Sequence, residues 1–261
     1  YELVVTEDSD ARISVESASG ISYVVLLPNE EDESEIKCKK NDQTYAYTFH
    51  NGIKSNKVYF KTGTDGTTAE ALTWSEYEEE IPSINGHEYV DLGLPSGLKW
   101  ATCNVGASSP EDYGDYFAWG ETSPKAEYTW KNSVTYGEQM SDISGNAQYD
   151  AATANWGGSW RMPTKEQMEE LVEHCEWEWT QVNGVNGYKF TGPNGNSIFL
   201  PAAGYRNGSS LKYDGDNGRY WSSTPYDYGD YSAYYLLFYN GLEGMYGIDR
   251  DKGLAVRPIT E

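Results

Sequence analysis

The chain has 261 residues, enough for two compact domains, and it carries 23 Tyr and 9 Trp against 6 Phe with a formal net charge of −22. The acidity runs throughout, 17 acids against 7 bases in residues 1–83 and 24 against 12 in the rest, so no basic stripe is present to hold a nucleic acid or an anionic membrane. No stretch approaches the roughly 18 apolar residues of a membrane-spanning helix, which excludes direct membrane insertion by such a helix. The sequence opens at Tyr1 with no Met and no apolar leader, and so reads as a processed or truncated product.

The first 82 residues read as a small all-β sandwich, a stalk or pilin-like module. Ile21 to Leu27 is a β-branched run ended by Pro28, and Gln43 to His50 alternates Tyr45, Tyr47 and Phe49 on one side. Asn51-Gly52 is a turn signal before the strand Lys57 to Thr62. The acidic stretch Glu30 to Glu35 reads as a solvated loop. Tyr77 to Ser83 then combines a charge run, a proline and a serine, which marks a linker with its boundary near residue 82.

Residues 83–261 read as an α+β domain of many short strands and one clear helix. Strands are expected at Glu88 to Leu92, Leu98 to Cys103 and Gly114 to Glu121, and a short helix is possible at Tyr149 to Ala154 within a loop-rich stretch, 122–158. The clear helix starts after Pro163. Thr164 and Gln167 form a capping box, and Met168, Leu171, Val172 and Cys175 fall on one side. Glu166, Glu169, Glu170 and Glu173 form the opposite, solvated side. Further strands are expected at Gly187 to Thr191, Ser197 to Leu200, Tyr220 to Ser223, Ser232 to Tyr239 and Leu254 to Pro258. Of the three cysteines, Cys103 and Cys175 are either a disulfide pair, with Cys38 free, or all three are buried thiols.

Several strings in this second part belong together. They are Tyr89 to Ala107 (YVDLGLPSGLKWATCNVGA), Tyr116 to Glu121 (YFAWGE), Trp160 to Thr164 (WRMPT), Phe199 to Gly204 (FLPAAG), Tyr220 to Thr224 (YWSST) and Ala255 to Pro258 (AVRP). In this order they resemble the Fibrobacter succinogenes major paralogous domain family, found in Bacteroidetes surface proteins and lipoproteins. The resemblance implies a C-type-lectin-like fold and a secreted or surface-anchored setting, such as an outer-membrane lipoprotein or a fimbria. It assigns Ser223 and Arg257 to the structural framework. The last stretch is also similar to the variable proteins of diversity-generating retroelements, whose adenine-rich codons yield Tyr, Asp, Asn, Ser and Gly. Tyr226 to Tyr231 reads YDYGDY in that manner. Residues 1–82 do not share the resemblance.

Catalytic and metal chemistry find little footing. His50, His87 and His174 stand in unrelated contexts, and no H-x-x-x-H, C-x-x-C or G-x-S-x-G string occurs. The resemblance extends to formylglycine-generating enzymes, but those need a carboxy-terminal cysteine pair, and no cysteine follows Cys175. Asp214 to Gly218 opens like a calcium loop, yet Pro225 occupies the twelfth position where a bidentate acid belongs. No metal, cofactor or catalytic residue is therefore expected.

A binding surface is expected instead. Along Ser232 to Tyr239, Tyr234, Leu236 and Phe238 fall on one side and Tyr235, Leu237 and Tyr239 on the other. Either loops 122–158 bury the second side or it is an apolar outer face. The small size of the domain favours the outer face. Nine tyrosines between Tyr213 and Tyr246, set among glycines, have the composition of an antibody-like recognition surface that suits a protein or a glycan. The expected contact residues are Tyr226, Asp227, Tyr228, Asp230, Tyr231, Tyr235, Leu237, Tyr239, Asn240, Glu243, Tyr246 and Asp249. The rival readings are a pilus or surface module whose aromatic face packs on another subunit, and a glycan hydrolase.

Overall fold

The computed structural model describes residues 82–261 in full and, before them, only the backbone of seven strands. The backbone separates into two compact units, Tyr1–Glu80 and Ile81–Glu261. In the first unit, strands β1 (Glu2–Val5), β2 (Ala11–Ser17), β3 (Gly20–Leu26), β6 (Lys57–Lys61) and β7 (Ala69–Thr73) pair in that order as an antiparallel sheet. Strands β4 (Ser34–Lys40) and β5 (Gln43–Phe49) pair as a hairpin. The expected sandwich packing, the Asn51-Gly52 turn, the 30–35 loop and the Cys38 side chain lie outside the described residues.

The second unit is mostly β, with short strands and two helices. Thr164 caps helix α2 (Lys165–His174): its side chain accepts from the Gln167 N–H while the Gln167 side chain accepts from the Thr164 N–H, so two orphan donors are satisfied at once. The apolar stripe of α2 buries Met168 and Leu171. Its acidic side is not all solvated, because Glu170 accepts from both the N–H and the hydroxyl of Ser96 and so pins the turn between two strands. Helix α1 (Ala151–Trp156) starts two residues later than the spacing predicts. Its cap Asp150 is fully buried and accepts from the N–H groups of Ala152, Thr153, Gly145 and Met162. Burial raises the Asp150 pKa, and those N–H groups oppose the rise.

Four small sheets surround these helices. Strands β8 (Ser83–Ile84), β9 (His87–Asp91) and β10 (Lys99–Ala101) join the last strand, β19 (Ile259–Thr260), in the order β19-β10-β9-β8. Strands β11 (Glu176–Val182), β12 (Val185–Thr191) and β13 (Ser197–Pro201) form a meander. Strands β14 (Tyr205–Asn207) and β15 (Ser210–Lys212) form a hairpin. Strands β16 (Asn217–Pro225), β17 (Ser232–Tyr239) and β18 (Leu242–Asp249) form an antiparallel sheet that carries the candidate site.

Two expected strands are absent. Gly114 to Glu121 and Leu254 to Pro258 run as irregular chain that meets at one bridge, where Phe117 and Leu254 exchange N–H···O bonds. Their aromatic and aliphatic side chains are buried as expected, but tertiary contacts rather than a ladder hold the backbone. Gly114 and Gly120, at φ of 70° and 76°, turn the chain on either side of Phe117. Cys103 and Cys175 are both free thiols, so the disulfide alternative falls. Burial lifts the Cys175 thiol to about 11.

Strand β17 runs between two apolar clusters. Leu236 and Phe238 belong to the first, with Met168, Leu171, Tyr188, Phe190, Leu200 and Trp100. Ala233 and Tyr235 belong to the second, with Phe117, Trp119, Ile143, Met162, Trp221 and Val256. Gly218 faces Phe238 across the ladder, and a Cβ there would lie 2.0 Å from the phenyl Cζ, which explains the glycine in the middle of a strand.

Arg257 locks the framework together. It is wholly buried and has no carboxylate partner among the described residues. Its Nε donates to Asn104 Oδ1 at 2.8 Å, Nη1 donates to the carbonyls of Ala101 and Thr102, and Nη2 donates to the carbonyl of Phe199. Burial lowers its pKa. Ser223 is also fully buried, and its backbone ties Pro163 to Ile143. Both residues stand where the family resemblance expects framework.

Candidate functional site

The ladder across β16, β17 and β18 decides which side chains share a face. Arg219 lies opposite Leu237, which lies opposite Gly244; Trp221 lies opposite Tyr235, which lies opposite Tyr246; Asn217 lies opposite Tyr239, which lies opposite Leu242. Directly opposed residues project to the same side, so these nine share the outer face, and Phe238, Leu236 and Glu243 share the inner one.

The outer face has a closed end and an open end. At the closed end Trp221 and Tyr235 share a buried cluster with Ile143, Ala151 and Ala152, against which Met140 and Tyr149 pack. The stretch 122–158 therefore does cover part of this face, contrary to the expectation of a wholly outward face. Tyr235, expected as a contact residue, is only 5% exposed and is core. At the open end Tyr239 and Tyr246 are each 42% exposed, and Leu237 is half-buried. Gly244 places no side chain opposite Leu237, which leaves that leucine within reach of solvent.

The neighbouring hairpin supplies the rest of the surface. Gly204 N–H donates to Asn217 O, Asn217 N–H donates to Tyr213 O, and Arg206 and Gly253 exchange backbone bonds, so β14 and the turn after β15 are fastened beside β16. Tyr205 and Tyr213 then stack at 6.2 Å between centroids. The Arg219 guanidinium lies 4.1 Å from the Tyr205 ring centre and 5.7 Å from those of both Tyr213 and Tyr235. Its Nε donates to Asn217 Oδ1 at 3.1 Å. Desolvation raises the Tyr235 pKa, and Arg219 opposes the rise. Tyr246 completes the patch at 6.4 Å from Tyr235.

The other expected contact residues lie elsewhere. Tyr226 lies over Gly247 with its ring 4.8 Å from Tyr234 and 5.8 Å from the highly exposed Tyr228. Asp227 accepts from the Tyr234 hydroxyl at 2.5 Å, which pushes that phenol up to about 12. Lys165 of α2 stands 5.0 Å from the Tyr234 ring, so this group belongs to the inner-face side. Tyr231 meets Tyr136 at 5.1 Å, while Tyr231 O and Asp230 O accept from the N–H groups of Arg250 and Gly137. Asn240 is exposed in the β17–β18 turn, Glu243 is half-buried on the inner face with its pKa raised by desolvation, and Asp249 lies opposite Ser232. The twelve residues thus do not form one surface: Tyr239, Tyr246 and Leu237 share the open end, Tyr235 is core beside them, Asp230 and Tyr231 meet Gly137 and Tyr136, and the rest divide between the β17–β18 turn and the inner face.

Arg219, Tyr205 and Tyr213 escaped sequence reasoning as contact residues. Asn207-Gly208 between Tyr205 and Leu211 is a hairpin signal that would have placed Tyr205 beside a neighbouring strand. Arg219 stands two residues before Trp221, and alternation along β16 puts both on one face.

Among the described residues no three His, Cys, Asp or Glu side chains converge to hold a metal ion, and no helix is long and apolar enough to cross a membrane. The second unit is thus a mostly β domain with an open aromatic patch floored by core strands. The model of the Lcl C-terminal domain matches residues 93–260, well over half the chain, and the chain belongs to that family. No curated protein and no solved structure matches it.

Proposed function

We propose that this protein is a non-catalytic recognition protein, secreted or displayed at a cell surface, whose second unit binds a protein or glycan through the open end of the β16–β18 outer face. The observation that carries the reading is the patch itself. Tyr239 and Tyr246 are exposed on the outer face of a sheet whose opposite face is core, and Arg219 on that same face lies against the exposed Tyr213 and the half-buried Tyr205. Tyrosine offers large contact area for few lost rotamers, and arginine with tyrosine is the usual composition of binding hot spots. A C-type-lectin-like architecture is supported by the short strands, the two helices, the long irregular stretches and the pairing of the last strand, β19, with β10 near the start of the unit. The first unit is then a stalk. The resemblance to surface-protein domains supports the location.

The test is retention of the full chain on a glycan array and on immobilised cell-surface protein extracts, with and without chelator. Saturable retention that disappears in Tyr239→Ser and Tyr246→Ser variants of unchanged circular dichroism is the expected result. Retention equal in the variants, or turnover of a glycan, overturns the reading. Self-association that depends on Tyr239 and Tyr246 moves the face to a subunit-packing role.

A further inference from the structure

The open patch holds one cation that is left unmatched. Of the 12 bases in residues 84–261, Lys125, Lys165 and Lys252 pair with a neighbouring carboxylate among the described residues. Arg219 pairs with none among the described residues, although residues 84–261 hold 24 acids against 12 bases. Its single hydrogen bond to a described residue is the one from Nε to Asn217. Arg219 is half-buried, and its two terminal nitrogens have no hydrogen-bond partner among the described residues. Asn217 and the Tyr205 face hold the guanidinium plane in place. A guanidinium offers two parallel N–H donors, a geometry that matches a carboxylate. Its remaining surroundings are neutral tyrosine rings, which favour the bound group's apolar stem.

Resting on the binding role given above, we infer that Arg219 is the specificity-determining residue of the patch and takes a single carboxylate presented by an uncharged or basic protein partner. The net charge of −12 over residues 84–261 (24 acids against 12 bases) argues against a polyanion, because the field of the unit repels dense negative charge while one fixed guanidinium attracts one acid at contact range. The partner's carboxylate is an Asp or Glu side chain or a chain terminus, flanked by apolar groups that lie on Tyr239 and Tyr246 and by bases that the acidic surroundings accept.

The experiment uses the full chain and a panel of end-blocked hexapeptides of Gly, Tyr, Leu and Lys, each with Asp, Glu, Asn or Gln at one central position. A matched pair with free and amidated carboxy-termini separates side chain from terminus. Polyglutamate and heparin form the polyanion arm. Affinity is measured by titration, and the Arg219 side-chain N–H resonance is followed by NMR. The expected result is binding of the acid peptides about tenfold or more tighter than their amide partners, with the Arg219 resonance shifting on titration. Arg219→Gln removes the discrimination, and Arg219→Lys, which keeps the charge but not the fork, retains part of it. Equal affinity for acid and amide peptides, no binding of any acid peptide at millimolar concentration, or preference for polyglutamate or heparin overturns the inference. If Tyr239→Ser abolishes peptide binding but acids and amides bind alike, the recognition role stands and only the carboxylate assignment falls. If neither Tyr239→Ser nor Arg219→Gln changes any retention, both fall.

Discussion

Two regions of the second unit are each built around an arginine, and they use it in opposite ways. Around Arg257 the donors end on Asn104 and on the carbonyls of Ala101, Thr102 and Phe199, and the residue is fully buried. Around Arg219, which is half-buried, only Nε is engaged among the described residues, and the guanidinium lies over the Tyr205 ring. The lesson is that the bonding of the donors, rather than the residue type, separates a structural cation from a ligand-facing one. Where carbonyl oxygens from distant segments converge, the arginine joins the chain together. An aromatic face alone does not make the difference, because Arg250 lies 4.6 Å over the Trp119 ring and is buried with its donors on the carbonyls of Ser232, Thr135 and Glu138.

Substitutions can break or sharpen this contrast. Arg257→Met should do the most damage: it deprives Asn104 and three carbonyls of their donor inside the core, at a cost of about 3 kcal/mol or more. Urea denaturation of the full chain measures this, and an unshifted midpoint for the second unit would show that the cage is dispensable. Tyr235→Ala, beneath the open patch, removes a buried ring and should cost about 2–4 kcal/mol. Near-native stability there would return Tyr235 to the exposed surface. Tyr239→Ser and Tyr246→Ser should each stay within about 0.5 kcal/mol of the parent while losing ligand retention. A large loss of stability in either would make the open end a disguised core.

The smallest effect concerns pH on the inner side. The Tyr234 phenol is raised to about 12 by its bond to Asp227, against an ordinary value near 10. A raised folded pKa means that the contribution is complete below about pH 10 and is lost as pH climbs through about 12. Asp227→Asn should lower the Tyr234 midpoint in a tyrosinate titration by NMR and leave ligand retention unchanged. If retention also falls, the inner-face tyrosines belong to the binding surface after all.

Much of the second unit was legible from local rules. The α2 capping box, the α2 apolar stripe and the β17 alternation follow from short-range chemistry, and they place Met168, Leu171, Leu236 and Phe238 in one core. The candidate site was legible only in part. The alternation put Tyr235, Leu237 and Tyr239 on one face, but which of them reaches water depends on how far the 122–158 stretch extends over it. Ile143 shares a buried cluster with Tyr235, while Tyr239 is left exposed, and no periodicity carries that information. Arg219 and Tyr205 meet because backbone bonds between Gly204, Asn217 and Tyr213 fasten a hairpin beside β16, a long-range registration that the strings alone do not encode. The irregular passages at Phe117 and Leu254 passed for strands because buried aromatics and aliphatics have the same composition whether or not a ladder holds them.

The sheet β19-β10-β9-β8 has a mechanical consequence. The unit's first and last strands lie in the same small sheet with two strands between them, a spacing of roughly 15 Å at the usual strand separation. A tension applied between the two ends of the unit is therefore resisted first by β8, β9, β10 and β19. It need not travel through β16, β17 and β18. Such a layout behaves like a cartridge clipped in at one edge, with the Tyr220–Ala255 bridge as the next link between the last strand's approach and β16.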